Sequence, residues 1–200
     1  MTGDTYLTIE APAQGIYKDK GSKFIALARP VMSEQEISDI LQTVKKDYYD
    51  ARHHCYAWAL GPNRQIYRQN DDGEPSGTAA KPIYGQIQAA GLTNILVIVV
   101  RYFGGIKLGV RGLIDAYKGA TADAIKNAVI VEKIISENYK IDFDYISIND
   151  VMKIMKEHEL MQTNQKFDLI CSLWFSVRLN LAQNVIKSLK KIPRLSCEKC

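Results

Sequence analysis

Apolar positions along this chain recur with two periods, and the switches between them mark out the elements. TYLTIE and KFIALARP read as strands, with a turn at Lys20-Gly21 between them. In SEQEISDILQTVKKDY, Ile37, Ile40, Leu41 and Val44 return at helical intervals. Ser33 and Glu36 stand at capping-box spacing at its start. HCYAWAL and QIYRQN flank Gly61-Pro62-Asn63, which signals a hairpin. KPIYGQIQAAG reads as a short helix with Pro82 in its first turn and Gly91 ending it. The run Ile95 to Val100, ILVIVV, is strand-length and apolar throughout, as expected of a strand buried on both faces. GGIKLGVRG follows as a loop. The next helix carries Leu113, Ala116, Tyr117, Ala120 and Ala124 on one side, which assigns all five to the core.

From about residue 131 the pattern changes. NYKIDFDYI alternates, with Tyr139, Ile141, Phe143 and Tyr145 on one face. INDVMKIMKEHE is helical, with Val151, Ile154 and Met155 apolar. LMQTNQKF and LICSLWFSVR read as two strands, the second placing Leu169, Cys171, Leu173, Phe175 and Val177 on one face. LAQNVIKSLKK is a helix, and PRLSCE supplies a last strand. The order βαββαβ is that of a ferredoxin-like domain. The sequence thus predicts an α+β protein of two domains, 1–132 and 133–200, with no internal repeat or low-complexity tract.

Composition adds bounds. A 200-residue chain with 46% hydrophobic and 24% charged residues matches an ordinary soluble globular protein. No apolar run reaches bilayer length, and MTGDTYLTIE has neither the basic nor the apolar region of a signal peptide. The expectation is a cytoplasmic protein with no membrane partner. The net charge of +4 is mild, so nucleic-acid binding would need a local basic patch. Lys187, Lys190, Lys191 and Arg194 offer one such patch, or simply the solvated face of the last helix. Trp58 and Trp174 read as core or interface aromatics. Cys55, Cys171, Cys197 and Cys200 are too sparse for a disulfide scaffold. The terminal Cys197-x-x-Cys200 reads either as half a zinc or redox site or as two free thiols on a fraying tail. Neither a cofactor nor a metal is expected.

The chemistry concentrates in NDDGEPSGTAAKP, Asn70 to Pro82. Aligned as a calcium loop on Gly73, it puts Arg68 at the first ligand position, where a cation cannot serve. It also lacks the spacing and lysine of a Walker loop. Gly104 and Gly109 have that spacing and lie between a strand and a helix, but Val110 and Arg111 replace the Lys and the hydroxyl residue. Nucleotide hydrolysis is therefore not expected. Anion binding is, because each loop leads into a helix N-terminus with basic side chains nearby. The expected ligand residues are Thr78, Lys81, Arg101, Tyr102, Gly104, Gly105, Lys107, Gly109 and Arg111. A catalytic alternative uses His53 or His54 as base with Asp71, Asp72 or Glu74, and Ser76, Thr78 or Cys55 as nucleophile. A structural alternative has the acids solvating a turn, Gly73 and Gly77 supplying positive φ, and Ser76 or Thr78 capping the helix.

DARHHCYAWALG (50–61), DDGEPSGTAAKP (71–82) and VVRYFGGIKLGVRGLIDAY (99–117), together with KGSKFIA (20–26), closely resemble the motifs of the YigZ/IMPACT family. The resemblance covers about residues 15 to 125. It implies an N-terminal α+β domain of the ribosomal-protein-S5-domain-2-like type. It also implies a ferredoxin-like C-terminal domain similar to the last domain of elongation factor G. That pairing points to RNA or ribosome binding and to a protein partner in translation control. Two positions depart from the family pattern: Ala80, where many members have Gly, and Arg111, where members usually have a small residue. The leading expectation is thus a translation-associated binding protein. A hydrolase, metal-assisted or not, using His53 or His54 with Asp71, Asp72 or Glu74, predicts a histidine nitrogen and two carboxylate oxygens within reach of one point. A pure adaptor requires an exposed apolar patch instead of a polar cleft.

Overall fold

The structure is a computed structural model that describes residues 3–200. The chain divides into two units, Tyr6–Lys133 and Ile134–Cys200, the second also including residues 3–5. The first unit is built from β1 (Thr5–Ile9), β2 (Ala13–Asp19), β3 (Ser22–Pro30), α1 (Glu34–Asp47), β4 (His53–Leu60), β5 (Ile66–Asn70), α2 (Ala80–Ala89), β6 (Ile95–Tyr102), α3 (Gly109–Lys126) and β7 (Ile130–Ile134). Five strands form one sheet in the order β2-β3-β6-β4-β5, and β1 pairs separately with β7.

Strand alternation sorts the side chains of that sheet into two layers. Phe24, Ala26, Cys55, Ala57, Val97 and Val99 pack against Ile83 and Ile87 of α2 and Leu113, Tyr117 and Ala120 of α3. Ile25, Leu27, Trp58, Leu96, Ile98 and Val100 face the opposite way, onto Ile37 and Val44 of α1. Helices cover both faces, so central β6 is apolar from Ile95 to Val100 although its ladders are antiparallel.

Three local features differ from the sequence reading. β2 is a strand that the pattern did not indicate, and the Lys20-Gly21 turn joins β2 to β3. Its sequence, AQGIYKD, contains a glycine that weakens a strand reading. The fold requires that glycine, because a Cβ on Gly15 would lie 2.1 Å from the Ala124 backbone nitrogen of α3. In α1, the Ser33 hydroxyl accepts from the Glu36 N–H, but the Glu36 carboxylate reaches the Met32 N–H and not that of Ser33. In α2, neither Ser76 nor Thr78 caps the helix. The side chain of Asp71 does so instead.

The second unit contains β8 (Ser136–Asp144), a 3-10 turn (Tyr145–Ser147), α4 (Ile148–Glu157), β9 (Met161–Lys166), β10 (Ile170–Arg178), α5 (Leu179–Leu189) and β11 (Ser196–Lys199). Its sheet order is β11-β8-β10-β9, with every pair antiparallel, which is the ferredoxin-like arrangement. Ile141, Phe143, Cys171, Leu173, Phe175 and Val177 meet Val151 and Met155 of α4 and Val185 and Leu189 of α5. Tyr145 and Leu169 fall outside that core, at 61% and 87% exposure, because each lies just beyond its strand. Trp58 is a core residue, whereas Trp174 is half-buried with the Lys140 ammonium 5.4 Å from its ring centroid. Cys197 and Cys200 do not sit on a fraying tail: Cys197 lies on β11 against the core, and the Cys200 N–H donates to the Asn138 carbonyl. Among the described residues, no helix is long and apolar enough to cross a membrane.

Candidate functional site: a buried ion pair in a basic cavity

The alternation that buries Val97 and Val99 carries Arg101 onto the same face of β6. The ladders then set three residues in a row, since Phe24 on β3 pairs with Arg101 on β6 and Arg101 pairs with His53 on β4. Arg101 is only 7% exposed. Its guanidinium carbon lies 5.5 Å from the Phe24 ring centroid and 5.6 Å from that of Phe103. A cation this deep requires a counter-charge. Glu74 supplies it, with Oε1 accepting from Arg101 Nη1 at 2.5 Å and from the Tyr117 hydroxyl at 2.9 Å. Arg101 Nε is buried with no hydrogen-bond partner.

His53 joins the network from β4. Its Nδ1 lies 2.8 Å from the Asp72 carbonyl, which can only accept, so Nδ1 carries the proton. Nε2 then points toward Glu74, 4.0 Å from Oε1. Cys55, two residues on, has its Sγ 3.0 Å from the Asp71 carbonyl and 3.3 Å from the Tyr117 hydroxyl, two acceptors within reach of its single S–H. Burial, with a smaller contribution from the neighbouring carboxylates, pushes its thiol up to about 12. Burial also drives the Tyr117 phenol upward. Both groups stay protonated at neutral pH, so Cys55 is not an activated nucleophile.

The three acids of the Asn70–Pro82 stretch diverge. Asp71 accepts from the Gly77, Ala79 and Ala80 N–H groups at 2.8, 3.0 and 2.8 Å, which makes it the cap of α2. Asp72 accepts from the His54 N–H at 2.7 Å and lies 3.8 Å from Lys45 Nζ. Only Glu74 turns toward His53 and Arg101. His54 points to the opposite side of the sheet, with Nε2 donating to the Tyr48 carbonyl. The acids are thus turned apart, with Asp71 bonded to backbone N–H groups, Asp72 beside His54 and Glu74 beside His53, and the described residues hold no group of three metal-type ligands. Gly73 and Gly77 do adopt positive φ, at 86° and 75°.

A cavity of about 490 Å³ opens over this network. Its walls include Arg52, His53, Glu74, Arg101, Phe103 and Lys107, with Gly109 and Val110 from the start of α3. Of the residues expected to bind an anion, Arg101, Lys107 and Gly109 reach it. The others lie elsewhere. The Thr78 hydroxyl is buried and donates to the Pro75 carbonyl at 2.6 Å. Tyr102 alternates to the far face, where its hydroxyl donates to Asp50. Lys81 and Arg111 are exposed and do not form its walls. Gly104 instead packs against the β2–β3 turn, since a Cβ there would sit 2.0 Å from the Gly21 carbonyl carbon. Gly105, at φ 88°, turns the same loop. The sequence reading did not include Arg52, and it placed Tyr117 in the core without a polar role. A phenol on the buried face of α3 was the available signal, because a buried tyrosine oxygen needs a partner.

An apolar patch is also present in the second unit, where Tyr145, Phe167 and Leu169 are exposed around a shallow depression. The polar cavity and an apolar surface thus coexist in the chain.

Fold and site together define a two-unit α+β protein with a histidine–glutamate–arginine–tyrosine network in its first unit. The chain belongs to the IMPACT family: the sequence model for the Impact N-terminal domain matches residues 20–125, a span that contains every wall of the cavity. IMPACT family member YigZ of Escherichia coli (strain K12) is 32% identical over 154 residues, 76% of this chain and 76% of that protein. IMPACT family member YvyE of Bacillus subtilis (strain 168) is 32% identical over 157 residues, 78% of this chain and 72% of that protein. A crystal structure described as that of a hypothetical protein superposes with a TM-score of 0.74 at 28% identity, covering 98% of this chain and 97% of its own.

Proposed function

We propose that this chain is a translation-associated binding protein that engages RNA or a ribosomal surface through the cavity of its first unit. The carrying observation is the charge of the cavity wall. Glu74 is committed to Arg101, while Arg52 and Lys107 have no ion-pair partner among the described residues. Two cations are thus left facing the opening, the arrangement that attracts a phosphate backbone. The setting in translation, and a protein partner there, rest on the family resemblance set out above. The divergence of Asp71, Asp72 and Glu74 favours binding over hydrolysis.

Filter binding of ribosomal RNA or tRNA across a salt series tests the reading. The expected result is an affinity that falls linearly with salt on logarithmic axes, with a slope reduced by about one when Lys107 is replaced by Glu. Absence of salt-sensitive binding at every ionic strength would overturn it.

A further inference from the structure

We infer that the first turn of α3 is a seat for a single phosphate group, held jointly by its free backbone N–H groups and by Arg101. The inference deepens the RNA reading and rests on it for the source of the phosphate.

The first observation is electrostatic. An 18-residue helix carries a partial positive charge at its N-terminus, and its first N–H groups need acceptors. In this unit α1 meets the need with Ser33, Glu34 and Glu36, and α2 meets it with Asp71. α3 has no side-chain cap and no acid in its first turn. It places Lys107 just before the helix and Arg111 within that turn, adding positive charge to the positive end. Among the described residues, nothing accepts from the Gly109, Val110 or Arg111 N–H groups.

The second observation is independent of the helix. Arg101 is a wall of the same cavity, its side chain is only 9% exposed, and its Nε–H has no acceptor. A buried unpaired donor is costly, so a site that leaves one is incomplete. Glu74 satisfies Nη1 alone. A tetrahedral oxyanion has enough oxygens to accept from Nε and from two helix N–H groups together, as a carboxylate on the far side of the guanidinium cannot. Phe103, 48% exposed, is a wall of the same cavity with its ring centroid 5.6 Å from the guanidinium carbon.

The test is a titration of the full ¹⁵N-labelled chain with inorganic phosphate, with chloride holding ionic strength constant. The expected result is saturable movement of the Val110 and Arg111 amides and of the Arg101 Nε–H on one curve. Lys107→Glu should weaken that curve by about tenfold, as loss and reversal of a nearby charge would. Val110→Glu places a carboxylate in the first turn at a position 61% exposed. It should abolish the phosphate response without lowering Tm, because it supplies the missing anion in place. Movement confined to other lysines, or unchanged phosphate binding in Val110→Glu, would overturn the seat. A second arm adds a short single-stranded RNA. If RNA moves the same resonances and phosphate competes with it, the seat takes a nucleic-acid phosphate. If RNA binds without moving them, RNA binding stands but its phosphate does not occupy the seat, and this deepening of the RNA reading is overturned. If phosphate binds and RNA does not, the seat stands and the RNA reading fails.

Discussion

Glu74 and Arg101 form an ion pair 2.5 Å long with the carboxylate and guanidinium both nearly excluded from water. The pair answers a question raised by the sequence, in which three acids precede a loop rich in basic residues. One acid neutralises Arg101, and the other two hold backbone. Removing one member of a buried pair strands the other. Glu74→Ala should therefore destabilise the first unit by about 3–5 kcal/mol. Glu74→Gln combined with Arg101→Met should cost less than Glu74→Ala alone. Urea unfolding followed by circular dichroism measures both, and equal losses would show that the pair is not the cause.

Asp71 caps α2 through three N–H groups from outside the helix. Asp71→Ala should cost about 2 kcal/mol, at the upper end for a cap because several donors lose their acceptor. Asp71→Asn retains one accepting oxygen and should recover part of the loss. Hydrogen exchange at the Ala79 and Ala80 amides should speed up in both variants, more in the alanine one.

Gly104 contacts the β2–β3 turn backbone to backbone. Gly104→Ala would place a Cβ 2.0 Å from a carbonyl carbon and 2.2 Å from the Ser22 nitrogen, and neither atom belongs to a flexible side chain. The loop would have to lift, breaking the Gly104 N–H bond to the Ser22 hydroxyl. A fall in Tm with loss of salt-sensitive RNA binding is expected. Gly105→Ala meets no atom but sits at φ 88°, so its cost should be conformational and smaller.

The thiols should separate by reactivity. Cys200 is exposed, Cys197 is half-buried with its thiol pushed upward by burial, and Cys55 and Cys171 are buried. With Cys55 near 12, native protein at pH 8 should release colour from Cys200 first in a chromogenic disulfide assay. Cys55 should react only after denaturation. Early labelling of Cys55 would contradict the closed network around Tyr117.

Acid should weaken the second unit through two carboxylates. The Lys199 ammonium and then the Tyr139 hydroxyl hold Glu137 below its usual range, and Lys140 and Ser172 do the same for Asp142. A carboxylate whose folded pKa is depressed contributes stability above its unfolded pKa. That stability is lost as pH falls through the folded value. The urea midpoint should hold down to about the unfolded values, 4.5 for Glu and 3.8 for Asp, and decline below them. Glu137→Gln should show a shallower decline over the same interval.

Much of the fold was legible because its signals are local. The continuous apolar run of β6, the alternation in β8 and β10, the helical stripes of α1 and α3, and the hairpin at Gly61-Pro62-Asn63 each follow from neighbours in sequence. So does the positive φ of Gly73 and Gly77, and so does the βαββαβ order of the second unit. β2 was missed for a physical reason. Gly15 depresses local strand propensity, and it is kept because the α3 backbone lies against it, more than a hundred residues away along the chain.

The sequence by itself determined which side of its own strand each site residue takes. His53 was bound to share a face with Cys55, and Arg101 with Val99, since a strand has a period of two. What it left open was which residues would meet. Glu74 lies 27 residues from Arg101 and 43 from Tyr117, and no local pattern encodes those contacts. They arise because β6 inserts between β3 and β4, which brings Phe24, Arg101 and His53 into one row beneath α3. Burial then decided the rest. A guanidinium enclosed by two phenyl rings must take the nearest carboxylate, and that choice separates Glu74 from the two acids beside it.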